Sequence, residues 1–249
     1  MAWAATILPS LTGVAILILV ATAVLTAYRV PHRSAPALAI LRGTVQLAII
    51  SFVLAGVISS PLWVTVALLV MFSVAASTAT RRVGWSWEHA RMMFGSMALA
   101  IVVTLGIVFA TGAIEFAPRY ALAIGGIVIG NTMSIATLAG RRFNEAVGDH
   151  WDEVEGWLAL GATPRQSTFA LARGAVYSAL IPSTDQSKTT GLVTLPGAFV
   201  GAIFGGVSPL EAGRFQIVVL AAIMAAGSIT GVVVATWLAP VKQRPAALS

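Results

Sequence analysis

The stretch of sequence that decides the fold is Glu153-Val154-Glu155-Gly156-Trp157-Leu158-Ala159-Leu160-Gly161-Ala162-Thr163-Pro164. It begins with two carboxylates, continues as a short amphipathic helix and ends in a Gly-Ala-Thr-Pro turn. It lies inside a polar interruption from Arg141 to Lys188, with apolar runs of membrane-spanning length on either side. The pattern predicts a helical membrane protein with one helix exposed in a loop between spans.

The composition excludes an ordinary soluble protein. Of the 249 residues, 58% are hydrophobic and only 10% are charged, and the mean hydropathy is +0.91. Soluble proteins carry roughly a quarter charged residues. The net charge of +6 is spread over short loops, where basic residues set membrane topology, so we expect no nucleic-acid partner. The absence of cysteine excludes disulfides and thiolate metal sites.

The apolar runs predict an all-α, polytopic bundle of about seven membrane spans in a single domain, residues 1-249. A helix needs about 20 residues to cross the hydrocarbon layer. The predicted spans are Pro9–Tyr28, Pro36–Ile58, Leu62–Ala79, Met92–Thr111, Tyr120–Ala139, Gly191–Gly206 and Phe215–Leu238. The sixth is short unless it starts near Asp185. No basic residue precedes the first span, so we expect it to be retained rather than cleaved as a signal.

Basic residues occupy alternate loops of this arrangement. They are Arg29, Arg33, Arg81, Arg82, Arg91, Arg141, Arg142, Arg165, Arg173, Lys242 and Arg244. Because basic loops stay on the cytoplasmic side, the predicted topology has the amino terminus outside and the carboxyl terminus inside. The expected location is the cytoplasmic (inner) membrane, with lipid as the surrounding solvent.

The polar stretch then falls in the cytoplasmic loop between spans five and six. There it has the features of a coupling helix, which docks on an ATPase and transmits its movement to the spans. We place the coupling element at about residues 141-190. The predicted coupling residues are Glu153, Glu155, Leu160, Gly161, Ala162, Thr163 and Pro164.

Polar side chains inside spans two and five are candidates for a substrate pathway. Arg42 and Gln46 lie one turn apart on one helix face, although Arg42 is also close enough to the interface to reach water. Asn131 and Met133 interrupt span five. Small polar residues such as Asn131 commonly form hydrogen bonds between helices, which is the alternative to a pathway role.

The segment before span six adds further pathway candidates. Asp185 and Lys188 are spaced to pair on a helix, and that pairing is the structural alternative to a role in transport. Pro196 and Gly197 fall inside the span. Proline removes a backbone donor, so we expect a kink or a broken helix whose free carbonyls line a cavity.

On the outer side, Glu115 and Glu211 are candidates for the exit of a cation, although loop carboxylates are usually only solvated. Gln216 follows on the last span. For a metal cargo, the candidate ligands are Glu115, Asn131, Met133 and Asp185, but their spacing matches no recognised metal motif.

Neither a catalytic set nor a nucleotide site is predicted. Among the titratable residues we find no arrangement suited to covalent or acid–base catalysis. A phosphate-binding loop needs a Gly-Lys pair, and neither Lys188 nor Lys242 follows a glycine. We therefore expect no cofactor on this chain and ATP-Mg on a partner.

Several segments together resemble the FetB-type ABC permease family, which includes bacterial iron-export permeases and plant relatives linked to aluminium tolerance. They are Arg42-x-x-x-Gln46-Leu47, Ile114-Glu115-Phe116-x-Pro118, Gly130-Asn131-x-Met133, Leu160-Gly161-Ala162-Thr163-Pro164, Ile181-Pro182-x-x-Asp185-x-x-Lys188-Thr189 and Gly191-Leu192-Val193-x-Leu195-Pro196-Gly197. The resemblance runs from span two to span seven and is most specific over Leu160–Gln216. Spans one and three and the Arg81–Arg91 loop differ.

The resemblance implies a half-transporter in which a second copy of this chain and a cytoplasmic ABC ATPase complete the assembly. It also implies export of a cation, with iron as the leading case. The residues themselves leave two alternatives open. One is a gradient-driven secondary transporter or channel, and the other is an ABC permease for a nucleotide sugar, a lipid or another metal.

Overall fold

The computed structural model describes residues 2–57 and 60–245, with side chains for 8–51 and 60–245. The described residues are all-helical, as the composition predicts, and contain no strand. The helices are α1 Ala2–Ala27, α2 Ala35–Val57, α3 Pro61–Val83, α4 Trp87–Ala110, α5 Pro118–Asp149, α6 Trp151–Ala159, α7 Pro164–Ser167, α8 Phe169–Thr189, α9 Gly197–Phe204 and α10 Pro209–Leu238.

The chain divides into two compact units, Met1–Val57 and Ile58–Ser249. The first unit consists of α1 and α2, which are almost entirely apolar and exposed, as expected of helices surrounded by lipid. Arg42 and Gln46 lie on α2 and are both exposed. A single functional domain over 1-249 stays a prediction.

In the second unit, α5 is the central helix and packs against α3, α4, α8 and α10. Small residues bring these helices close together. A Cβ added at Gly140 would lie 2.8 Å from the Val83 side chain, and one at Gly125 would lie 2.7 Å from Leu68. Such glycines let helix backbones approach closely. Close packing matters in a bilayer because lipid tails are as apolar as the side chains, so the hydrophobic effect does not drive the helices together.

Five described helices are long and apolar enough to cross a membrane. They are Leu8–Ala27, Pro61–Val83, Trp87–Ala110, Pro118–Asp149 and Pro209–Leu238. The described part of α2 contributes a shorter apolar helix, Ala35–Ser51. A multi-pass membrane protein is therefore confirmed, whereas the total of about seven spans and the orientation of the termini stay predictions.

The predicted sixth span, Gly191–Gly206, is wrong in its boundaries. The helix that packs against α5 and α10 is α8, Phe169–Thr189, and after an irregular segment the short α9 packs mainly on α10. Hydropathy misses α8 because it carries Arg173, Asp185 and Lys188 on exposed faces. Its buried face is a row of small residues, Ala172, Ala175, Ala179 and Ser183.

The predicted coupling element, about residues 141-190, covers the end of α5 together with α6, α7 and α8, and its role stays a prediction. Residues 141–149 continue α5, and residues 169–189 form α8. The helix break predicted at Pro196-Gly197 is present, because Pro196 directly precedes the first residue of α9. Before it, Gly191 adopts φ +87°, a conformation that favours glycine, and its N–H donates to the Thr194 carbonyl at 2.8 Å.

Candidate coupling helix and transport pathway

The α6–α7 segment projects from the helical bundle with most of its surface exposed. Within α6 only Val154 is buried, and Glu153 and Glu155 both point to solvent. The apolar side chains of Trp157 and Leu160 are nevertheless 51% and 84% exposed. Large exposed apolar side chains rimmed by carboxylates are typical of a surface that another protein covers.

The turn after α6 is built to present this surface in one fixed shape. Gly161 has φ +89°, which an L-residue adopts only with strain. Thr163 and Gln166 then form a capping box at the start of α7, with the Thr163 N–H donating to Gln166 Oε1 at 2.8 Å. Pro164 occupies the first position of α7, which suits a residue without an N–H.

A shallow recess of about 470 Å³ lies on this surface. It is lined by Trp157, Leu160, Gly161, Ala162 and Gln166. Three of these residues, Leu160, Gly161 and Ala162, are among the predicted coupling residues. The structure therefore gathers them on one exposed patch, which we call the coupling patch.

Three long-range hydrogen bonds connect this region to the helices of the bundle. The buried Thr168 hydroxyl donates to the Ala239 carbonyl at 2.6 Å, just beyond α10. Arg244 Nη2 donates to the Gly148 carbonyl at the end of α5 at 2.9 Å. Arg165 Nη2 lies 3.5 Å from the Thr236 carbonyl. These bonds connect the α7–α8 junction and the end of α5 to the end of α10 and the residues after it.

These contacts also define one end of the second unit. Val83 at the end of α3 lies beside Gly140, and the α10 terminus lies beside Gly148. This basic end carries Arg81, Arg82, Arg91, Arg141, Arg142, Arg165, Arg173, Lys242 and Arg244. The coupling patch lies at the same end.

At the opposite end, Glu115 and Glu211 line one cavity of about 600 Å³. Arg119 and Arg214 line it too, and α9 and the loop after it contribute Ala202, Gly206 and Val207. The Arg119 guanidinium stacks over the Tyr120 ring at 4.8 Å. None of these four charged side chains forms an ion pair within 4 Å among the residues that the structure describes.

The polar residues of α5 and α8 lie at similar heights in the bundle. The two helices are antiparallel, since Phe143 packs near Ala172 and Ile135 lies with Leu180 around Gly227. Asn131 is one turn from Ile135 and therefore lies at the level of Ser183 and Thr184. Its Nδ2 donates to the Ile127 carbonyl at 2.9 Å, so its amide oxygen is left available.

Three further predicted pathway residues have defined surroundings. Asp185 and Lys188 form an exposed ion pair of 3.3 Å, as the structural alternative predicts. Gln216 on α10 is only 6% exposed, and its Oε1 has no hydrogen-bond partner within the described residues. An unpaired buried amide oxygen is costly, so it marks a position where a ligand or a water is expected.

The four predicted metal ligands do not converge in this structure. Asn131 and Met133 are two residues apart on one helix and so point to nearly opposite sides. Asp185 lies on the face of α8 away from the buried Ser183, and Glu115 is in the outer cavity. In the described part of the chain, no group of three or more His, Asp or Glu residues could hold a metal ion.

The long-range contacts of Thr168 and Arg244 are not signalled by the sequence. Both act on backbone carbonyls that are distant in sequence, in positions 239 and 148. Neither a motif nor a charge pattern signals such a contact. The two residues become visible only when the ends of α5, α8 and α10 are brought together.

Known proteins match most of this chain. It is 37% identical to the rice UPF0014 membrane protein STAR2 over 78% of this chain and 69% of that protein. It is 34% identical to the UPF0014 membrane protein YjkA of Bacillus subtilis over 82% of each chain. It is 31% identical to the probable iron export permease protein FetB of Escherichia coli over 77% of this chain and 75% of that one.

No solved structure matches the chain. The family model, described as an uncharacterised protein family, matches residues 8–241. That range includes the coupling patch, the outer cavity and every span-forming helix described above. The chain therefore belongs to the UPF0014 family of membrane proteins.

Proposed function

We propose that this chain is the membrane permease subunit of an ATP-driven transporter of the ABC type. The observation that carries the proposal is the coupling patch, an exposed apolar surface at the basic end that is tied to α8 and α10. An exposed apolar surface in a segment outside the bilayer is typical of a site that a partner protein covers. The partner is a cytoplasmic ATPase that binds ATP-Mg, and a second copy of this chain completes the membrane part.

The proposed cargo is a metal cation such as iron, exported from the cytoplasm. The similarity to a protein named as a probable iron export permease supports this choice. The cavity that contains Glu115 and Glu211 supports it as well, because carboxylate oxygens suit hard cations. Iron is here a substrate that passes through, so the lack of a convergent ligand set is compatible with transport.

The proposed pathway follows α5 and α8. Gly130 and Ser134 are exposed on α5 at the level of Asn131, which gives a polar surface inside an otherwise apolar span. Polar surface at membrane depth is stable only against protein or water. We assign this surface to the pathway, with the second copy facing it.

The proposed mechanism starts at the ATPase. When ATP closes the partner subunits, the coupling patch moves and carries α7 with it. Thr168 passes this movement to the start of α8 and to the end of α10. At its far end α8 continues into the 190–196 segment and α9, which borders the outer cavity. The cytoplasmic stroke thereby opens the outer side.

Leu160→Arg tests the docking surface. Leu160 is 84% exposed, so the change leaves the fold of this chain intact while it places a charge in the proposed contact. We expect the amount of ATPase that copurifies with the tagged permease to fall by roughly tenfold or more, as when a central apolar contact is lost. Quantitative mass spectrometry of the purified complex measures this ratio.

Leu210→Arg is the matched control, because Leu210 is equally exposed and lies at the opposite end of α10 from the basic end. It is expected to copurify with as much ATPase as the unchanged chain. Equal loss in both variants, or none in Leu160→Arg, would contradict the docking assignment. A solitary chain that transports iron into liposomes without nucleotide would favour a gradient-driven transporter instead.

A further inference from the structure

A groove between α8 and α10 opens at the basic end of the second unit. Its volume is about 650 Å³, within the range of roughly 300–1,000 Å³ that is typical of small-molecule sites. Phe169, Val176 and Val232 form apolar walls, and small residues such as Ala172 and Ala235 form the floor. Arg165 and Arg173 line the same groove.

The groove lies where a bilayer surface is expected. Helix α10 has 30 residues and is about 45 Å long, so its last turns extend beyond a hydrocarbon layer of roughly 30 Å. Trp237 in the last turn of α10 and Tyr177 beside the groove are partly or fully exposed. Trp and Tyr favour the headgroup level of a membrane.

Among the residues that the structure describes, neither arginine has a carboxylate within 4 Å. Arg165 has only the weak contact with the Thr236 carbonyl, and Arg173 stacks over the Phe169 ring at 5.7 Å. Glu88 lines a neighbouring recess with Arg165 but forms no ion pair within 4 Å among the described residues. Within the described part of the chain, two guanidinium groups that form no ion pair thus lie beside an apolar groove.

We propose that the groove binds an anionic phospholipid, with one acyl chain between α8 and α10 and the phosphate held by Arg165 and Arg173. Guanidinium groups bind phosphate oxygens through charge-assisted hydrogen bonds. Basic pockets between membrane helices on the cytoplasmic side are suited to anionic headgroups. The lipid would bridge the helices joined by Thr168, so its presence stabilises that junction. This inference requires membrane insertion but not the proposed ATPase.

Native mass spectrometry of the full chain in mild detergent tests the site. The probes are dioleoyl phosphatidylglycerol and, as the neutral lipid, dioleoyl phosphatidylcholine. The unchanged chain is expected to bind the first phosphatidylglycerol selectively. R165Q/R173Q should weaken that binding by roughly tenfold to thirtyfold, because each of the two removed charges contributes a several-fold factor to the affinity for an anionic lipid.

R82Q/R91Q is the matched control, since Arg82 and Arg91 are exposed at the same end, carry the same charge and lie outside the groove. It should retain the selectivity for phosphatidylglycerol. If both double variants lose binding equally, the attraction is a general effect of net charge and the specific site is refuted. Equal binding of both lipids to the unchanged chain refutes it too.

Val232→Trp tests the apolar part, because Val232 is exposed and its enlargement fills the groove. Lipid binding should fall, whereas Val102→Trp on the exposed face of α4 should leave it unchanged. If Val232→Trp instead dissociates a dimer without affecting the lipid, the groove is an interface between copies of this chain. That result would overturn the proposal.

Discussion

At the residue scale, Thr168 lies between α7 and α8 and also bonds to the residue that follows α10. Its side chain is fully buried, and its hydroxyl satisfies the carbonyl of Ala239 while it also lies 3.1 Å from the Pro164 carbonyl. The Ala239 carbonyl also accepts a hydrogen bond from the Val241 N–H at 2.8 Å. One hydroxyl therefore holds α7, α8 and the end of α10 together.

Thr168→Val removes this donor and keeps the shape of the side chain. We expect the free energy of unfolding to fall by about 0.5–1.5 kcal/mol, because one buried hydrogen bond is lost while the Ala239 carbonyl keeps its bond from the Val241 N–H. The midpoint of thermal unfolding in detergent, followed by tryptophan fluorescence, measures the change. Thr168→Ser keeps the hydroxyl and should unfold close to the unchanged chain; an equally low midpoint would show that the methyl group, and not the hydrogen bond, matters.

At the element scale, close packing of the helices depends on positions where glycine is the residue that fits. Val83 is buried and β-branched, so its side chain has little freedom to move away from α5. The close approach of α3 to α5 therefore requires glycine at position 140. The same logic applies to α10 and α5, where a Cβ on Gly227 would overlap with Ile135.

Gly140→Ala should separate α3 from α5. The new Cβ would lie 2.8 Å from Val83 Cγ2, and overpacking of this kind costs about 1–3 kcal/mol. The thermal midpoint should fall, and Val83→Ala in the same chain should restore most of the loss. Gly130→Ala is the control on the same helix, because no atom lies within 4 Å of its added Cβ. No difference in midpoint between the two alanine variants would contradict this account.

The elements also show which features the sequence can predict. The continuous apolar runs of α1, α3, α4, α5 and α10 were found because hydropathy alone is sufficient for them. The sequence pattern places α8 in a polar interruption, since its buried face consists of alanine and serine and its charges lie on exposed faces. A helix that packs closely on other helices needs small residues rather than large apolar ones. Hydropathy does not measure how closely residues pack.

The candidate site divides in the same way. The exposed turn at Leu160–Pro164 is predictable because Gly-Ala-Thr-Pro after a short amphipathic helix is a local pattern, whereas its coupling role stays a prediction. The contacts that connect this turn to α10 could not be predicted, because Thr168 and Arg244 bind backbone carbonyls far away in sequence. A local motif can be recognised in the sequence, whereas contacts between segments that are distant in sequence become visible only in the fold.

At the scale of the whole molecule, the second unit has one strongly basic end and one end with a mixed-charge cavity. The basic end also carries the coupling patch and the groove with Arg165 and Arg173. The positive-inside rule then predicts that this end is cytoplasmic and that the cavity with Glu115 and Glu211 faces outward.

Cysteine labelling tests this orientation without background, because the chain has no cysteine of its own. Leu160→Cys and Leu210→Cys place single thiols at opposite, highly exposed positions. A membrane-impermeant maleimide added to intact cells should label the Leu210→Cys variant only. After permeabilisation both variants should react; the reverse pattern in intact cells would invert the topology.

The length of α8 has one more consequence. Its 21 residues, with Pro182 in the second half, extend over about 31 Å from Thr168 at one end to the segment that leads into α9 at the other. Over this length, a tilt of about 5° at the Thr168 end moves the other end by ~3 Å, which is the diameter of a water molecule. In the proposed mechanism, a small conformational change at the ATPase would therefore be enough to open or close a hydrated passage at the outer end of α8.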